Sequence, residues 1–250
     1  MLGRLHRAWQ RRAAKWFAQR RILVNPRRPI ISFTFDDFPE SALTVGGTIL
    51  ESAGARGTYY TSLGLAGQVT PTGRMFKTEH LAELISRGHE IGCHTFDHCP
   101  AWETSAAEFE ASVERNSAAL HALSPTTRYK TLSYPISYPR PATKQRMAPR
   151  FSACRGGGQT FNRGVVDANY LKSFFIEQSR NDLDHIKATI DECVDQAGWL
   201  IFSTHDVAEE PTRYGCTPAQ FREIVAYSVA SGAMVLPVSP ALEATTRITP

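Results

Sequence analysis

Short apolar runs alternate along this chain with longer segments whose apolar residues recur every three or four positions, which is the pattern of strands interleaved with helices. Residues 29–35, 89–93 and 199–204 are compact β-rich runs, each followed by polar residues typical of loops, and they are expected as strands. Between them, Thr78 precedes Leu81, Leu84 and Ile85 with Gly88 as the stop, and Ser105 with Glu108 forms a capping box ahead of Phe109, Val113 and Leu120. Residues 183–197 carry Ile186, Ile190 and Val194 on one face and end at Gly198. Thr217-Pro218 is a cap followed by proline at the first helical position; Phe221, Ile224, Val225 and Val229 form the stripe, and Gly232 ends it before a strand at 234–236. Such alternation predicts an α/β protein with a parallel sheet, open or closed into a barrel, and helices outside.

At 250 residues and 42% hydrophobic, the chain can bury a full core, expected as one domain over 29–250 after an extension over 1–28. Five irregularly spaced cysteines suggest no disulfide framework, and no run approaches the roughly 20 apolar residues of a membrane span. The first residues lack the apolar centre of a secretory signal, so a cytoplasmic location is expected. Charge changes the picture at one end. Residues 1–28 hold nine Lys/Arg and no acid, leaving 19 basic and 24 acidic groups, a net −5, in the remainder. Leu2, Leu5, Trp9, Ala13, Trp16 and Phe17 recur at helical spacing among Arg4, Arg7, Arg11, Arg12 and Lys15. This describes a basic amphipathic helix, docked on the barrel or lying peripherally on an anionic membrane at its inner face. The acidic body argues against nucleic acid as a partner.

The chemistry collects where the strands end. Asp36-Asp37 follows one apolar run, His94 and His98 follow another, and His205 follows a third. Two imidazoles and one carboxylate are the ligand set that leaves a zinc-like ion an open position for water, and a second carboxylate is then free to take that water's proton. In barrels of alternating strands and helices, the carboxyl ends of the strands are where active sites are built.

These residues carry a resemblance. Thr34-Phe35-Asp36-Asp37, His94-Thr95-Phe96-Asp97-His98 and the late strand ending at His205 are similar, in order, to three motifs of the polysaccharide deacetylase family (carbohydrate esterase family 4), over about Ile30 to Val238. The resemblance implies a distorted, incomplete (β/α) barrel, to which the basic helix of residues 1–28 is an N-terminal helical extension. It implies a divalent metal held by Asp37, His94 and His98, zinc first with cobalt or nickel as alternatives, Asp36 as general base and His205 as general acid. The activity implied is hydrolysis of an N-acyl group, usually acetyl, on an oligosaccharide, a polysaccharide or a lipid-linked sugar. The family's oxyanion donor is a backbone amide that falls here at Ile136, in the segment Tyr134-Pro135-Ile136-Ser137.

The chain departs from the family at two places. Ser133 stands where the family has the arginine that orients the base, and Arg155, after the run 151–154, is the candidate replacement. The late aspartate that tunes the catalytic histidine has no clear counterpart, with Asp206 and Asp167 as candidates. Gly156-Gly157-Gly158 reads as a flexible loop, and Tyr59-Tyr60 as core packing rather than sugar stacking. His89, His121 and His185 read as surface residues, and Asp97 as a partner for an imidazole or a turn cap. Cys93 and Cys99 flank the histidines, but a strand points Cys93 away from His94, which argues against a Cys/His zinc cluster. The competing functions are an amide or formamide hydrolase of the same fold acting on a non-sugar or lipid-linked substrate, and a sugar-binding module without turnover.

Overall fold

Every residue of Ile30–Phe35 is buried, as a strand covered on both faces must be, and this strand lies in the interior of the sheet. The computed structural model describes residues 2–136, 138–179 and 182–246. Its elements run α1 (Leu2–Trp16), β1 (Arg21–Val24), β2 (Ile30–Phe35), α2 (Thr48–Ser52), β3 (Thr58–Thr61), β4 (Val69–Thr70), β5 (Gly73–Arg74), α3 (Glu79–Ser86), β6 (Glu90–Cys93), α4 (Ala106–Leu123) and β7 (Thr131–Ser133). They continue with α5 (Pro141–Met147), β8 (Ala153–Arg155), β9 (Gly164–Asp167), β10 (Phe174–Phe175), α6 (Leu183–Asp195), β11 (Trp199–Thr204), α7 (Pro218–Ala230), β12 (Met234–Val235) and α8 (Val238–Thr246).

The main sheet has the order β10-β11-β2-β3-β6-β7-β8, with β12 added on β2, and all its pairings are parallel. It curls into an incomplete (β/α) barrel. At the β8 edge an isolated parallel bridge joins Arg155 to Leu171 in the segment between β9 and β10, while β9 itself pairs antiparallel with β1. The carboxyl ends of β2, β6, β7, β8 and β11 therefore share one rim and deliver Asp36, His94, Tyr134, Arg155 and His205 to it.

The helix signals hold with one exception. Ser105 and Glu108 complete their capping box, and the Thr217 hydroxyl accepts from the amide of Gln220. Thr78 does not cap α3: its own backbone is already helical and its side chain makes no capping hydrogen bond. His89 is not a surface residue. It is buried between the Glu51 carboxylate on Nε2 and the Gly57 amide on Nδ1, a structural role that the sequence leaves unmarked.

The N-terminal segment packs against the barrel. Among the described side chains of α1, Gln10, Ala13 and Ala14 are buried, whereas Trp9, Trp16 and the following Phe17 face outward. Of the apolar stripe read from spacing, Ala13 is buried while the rings of Trp9, Trp16 and Phe17 are not, because alanine permits a close approach that the larger rings would block. Side chains of Leu2, Arg4, Leu5 and Arg7 lie outside the described residues. The C-terminal end of α1 is held by Lys144 of α5, whose fully buried ammonium donates to the carbonyls of Ala14 (2.6 Å) and Phe17 (2.8 Å) and to Asp167 (2.6 Å). Helix-terminal carbonyls lack partners within the helix, and here a cation supplies one. Arg20 adds hydrogen bonds to the carbonyls of Ala148 and Ser152. Among the described residues no helix is long and apolar enough to cross a membrane.

Candidate active site

Asp36 and Asp37 leave β2 in different directions. Asp36 continues the strand, its amide bonded to the Thr204 carbonyl at 2.9 Å, and its carboxylate turns inward to Arg155 and to the Ser203 hydroxyl at 3.2 Å. Asp37 and Phe38 both adopt φ +61°, the left-handed region that non-glycine residues avoid. Thr95, His98 and Ile136 also lie in that region, so of the eight such described residues four fall in the site motifs and Phe38 directly follows one. Backbone strain of roughly 1–3 kcal/mol per residue is held here by surrounding contacts.

The turn at Asp37 aims its Oδ1 at two imidazoles, 3.4 Å from His94 Nε2 and 3.0 Å from His98 Nε2. Its Oδ2 accepts from Thr72 at the β4–β5 turn (2.9 Å). Apart from these two imidazoles the buried Oδ1 has no partner among the described residues, which is the state expected of an oxygen reserved for a cation. His94 is oriented through Nδ1, which donates to the Ser133 carbonyl at 2.8 Å and leaves Nε2 as the free donor atom. Ligand atoms of Asp37, His94 and His98 all lie within 4.8 Å of one another. The donor set thus fits a divalent ion of the zinc class. Cys93 is buried behind the rim against Asn116 and is not part of this group, and neither is Cys99.

Electrostatics separate the two carboxylates' partners. Burial pushes Asp36 up, but the Arg155 guanidinium, with His94 and His205, holds it below the usual carboxylate range. Burial is likewise outweighed at Asp37 by the two imidazoles. Arg155 is 1% exposed, stacks on the Tyr60 ring at 4.7 Å and bonds the Ser203 hydroxyl at 3.1 Å.

Among the described residues no carboxylate is bonded to His205. Its Nδ1 donates to the backbone carbonyl of Tyr214 at 3.1 Å. Asp206 stands one step back: it accepts from the amide (2.7 Å) and hydroxyl (2.6 Å) of Thr212 and so staples the loop that carries Tyr214. Gly215 in that loop passes so close that an added Cβ would lie 2.2 Å from Asp206 Oδ1. Asp167 is committed elsewhere, to Lys144 and to the amides of Arg20 and Asn169, and cannot tune His205. Asp97 likewise binds Ser112 and Arg115 rather than an imidazole, tying the histidine loop to α4.

The rim opens into a cleft of about 1470 Å³ lined by Asp36, Asp37, His94, His98 and His205. Tyr134 is nearly buried against Phe109 and presents an edge to the cleft, while the Ile136 side chain projects at 73% exposure. Ser137 lies outside the described residues. The Gly156–Gly158 segment is not merely flexible: an added Cβ on Gly156 would lie 2.2 Å from the Tyr170 ring, so the residue is needed for close packing. Glu177 also lines the cleft, unmarked by any motif; burial pushes its carboxyl up to about 8, and its Oε2 has no hydrogen-bond partner among the described residues.

A curled parallel barrel whose strand ends gather three imidazoles and two carboxylates in a cleft defines a hydrolase with a candidate metal centre. The polysaccharide deacetylase profile matches residues 24–148, and the chain belongs to the polysaccharide deacetylase family, hydrolases of the carbon–nitrogen bonds of acetylated sugars. The structure is similar to the chitin deacetylase of the fungal pathogen Colletotrichum lindemuthianum (14% identity, TM-score 0.61, 88% of this chain and 90% of that one). It is also similar to the peptidoglycan deacetylase of Bacillus subtilis (19% identity, TM-score 0.55, 88% and 93%). A CE4 family pseudoenzyme from Bacillus anthracis shares the fold as well (11% identity, TM-score 0.59, 87% and 66%). Comparison with curated protein sequences gives no match.

Proposed function

We propose that this protein is a metal-dependent deacetylase that removes the N-acetyl group from a carbohydrate, with Asp37, His94 and His98 as metal ligands, Asp36 as general base and His205 as general acid. The observation that carries the reading is the convergence of the three ligand atoms within 4.8 Å beside a carboxylate held ionised by Arg155. When bound, a zinc, cobalt or nickel ion would supply Lewis acidity at the acyl carbonyl and a water of lowered pKa.

The chain's own groups then have defined tasks. Asp36 accepts the proton of the attacking water; its pairing with Arg155 and Ser203 fixes its orientation and keeps it unprotonated in the resting site. As the water oxygen bonds to the acyl carbon and the carbon–nitrogen bond breaks, the leaving nitrogen needs a proton. Protonated His205, with Nδ1 committed to the Tyr214 carbonyl, carries its second proton on Nε2 and donates it. The Ile136 amide, brought to the rim by a left-handed turn, is the proposed oxyanion donor.

The test is release of acetate from N-acetylated oligosaccharides after metal removal and add-back of zinc, cobalt or nickel. Turnover that depends on added metal and is lost in Asp36→Asn with metal retained supports the reading. Sugar binding without turnover under any metal would place this chain with the pseudoenzymes of the fold.

A further inference from the structure

The cleft that holds the candidate metal site is walled in part by α1, which contributes Arg11, Arg12, Lys15 and Trp16 to its lining. Arg11 and Lys15 are four residues apart, as are Arg12 and Trp16, so the four side chains form two adjoining rows on one helical face. The Lys144 clamp on Ala14 and Phe17 fixes that face relative to the barrel, so these charges belong to the cleft rather than to a swinging arm.

The charges are uncompensated. Each acid lining the cleft is already engaged: Asp36 by Arg155, Asp37 by the imidazoles and Thr72, Asp97 by Arg115, and Asp167 by Lys144. Glu177 is kept neutral by its burial, with its carboxyl pushed up to about 8. Among the described residues Arg11, Arg12 and Lys15 form no ion pair, and all three are exposed. Three like charges held on one wall repel each other, and a multivalent anion relieves that repulsion. Guanidinium groups match a phosphate in particular, because their planar N–H pairs meet two of its oxygens.

Resting on the deacetylase reading above, we propose that the α1 wall is a subsite for a phosphate group carried by the sugar substrate, held by Arg11, Arg12 and Lys15 with the 72%-exposed Trp16 ring beside them. The sugar's acyl group is then directed toward His94, His98 and Asp36 in the same cleft.

The experiment compares the metal-loaded full chain with its Arg11→Gln/Arg12→Gln/Lys15→Gln variant. Three probes are N-acetylglucosamine, N-acetylglucosamine 1-phosphate, and N-acetylglucosamine joined through a diphosphate to a polyprenyl lipid in detergent micelles. Calorimetric binding and acetate release are read separately. The expected result is that the wild type binds the 1-phosphate about tenfold more tightly than the neutral sugar, and that the variant loses this preference while its handling of the neutral sugar changes less than about twofold. Equal wild-type affinity for neutral and phosphorylated sugars, including the lipid-linked one, overturns the proposal without reference to the variant, as does a variant that keeps the preference. Gain with both phosphorylated probes identifies the phosphate itself as the determinant; gain with the lipid-linked probe alone assigns the subsite to a diphosphate headgroup. If the preference is present and no probe releases acetate, the deacetylase reading fails and the phosphate subsite stands.

Discussion

Ser133 and Arg155 face each other in register across β7 and β8, and the guanidinium of the second reaches Asp36 from one strand farther round the barrel than the family's arginine position. Adjacent parallel strands lie only about 4.8 Å apart, so a side chain as long as arginine can serve the same carboxylate from either. The Ser133 carbonyl meanwhile orients His94, tying the two halves of the site to one strand end.

Arg155→Ala should cost activity on the order of a hundredfold, because it leaves Asp36 buried without its cation. The guanidinium holds Asp36 low, so its loss raises that pKa and shifts the acid limb of the kcat/KM profile to higher pH. Arg155→Lys should keep much of the limb's position. The exchange Ser133→Arg with Arg155→Ser should recover part of the rate; a pH profile of each variant decides.

His94→Ala and His98→Ala should each lower bound metal by about tenfold or more in affinity, measured by elemental analysis after dialysis. Cys93→Ser and Cys99→Ser should leave metal content unchanged. Full occupancy in both histidine variants would remove them from the ligand set.

Asp206→Ala should slacken the loop that presents the Tyr214 carbonyl to His205. The expected signature is a kcat lowered about tenfold with metal content intact, since only the acid's orientation is disturbed. Gly215→Ala should act in the same direction, because its Cβ would displace the Asp206 carboxylate.

Glu177 sets a pH dependence of stability. Its folded-state pKa of about 8 lies above the ordinary 4.5, so the folded state binds the proton more strongly than the unfolded chain does. Stability from this group is complete below about pH 4.5 and declines as pH rises to about 8, by at most about 1.4 kcal/mol per pH unit. Glu177→Gln should flatten that decline in urea melts at pH 5, 6, 7 and 8. An unchanged slope would mean that the carboxyl is not buried in solution.

Lys144→Met should destabilise the protein by about 3–5 kcal/mol, because it strips Asp167 of its cation and leaves the carbonyls of Ala14 and Phe17 without their donor. Deleting residues 1–17 should lower the melting temperature for the same reason. A truncated chain as stable as the full one would show that α1 is not held in solution.

Much of this architecture is written locally. The strands of a parallel barrel are buried on both faces and read as compact β-rich runs, so 29–35, 89–93 and 199–204 announce β2, β6 and β11 to within a residue. The residues at which those runs stop carry the chemistry, and the spacing of His94 and His98 is a matter of five adjacent positions. Hydroxyl caps at Ser105 and Thr217 are equally local, with the amide they serve three residues away.

What the tertiary structure decided involves partners distant in sequence or groups with no side-chain signature. Arg155 meets Asp36 across 119 positions because of strand order, and His205 is oriented by a backbone carbonyl, which every residue possesses. Glu177 becomes unusual through burial alone, and His89 is enclosed by Glu51 and Gly57 rather than exposed. The N-terminal helix shows the division most clearly. Its basic, amphipathic character follows from the order of its residues, but which face it buries was decided by where alanine permits close contact and where Lys144 offers a donor. Local sequence sets which conformations are cheap, whereas the choice among faces and partners depends on long-range packing that no local pattern encodes.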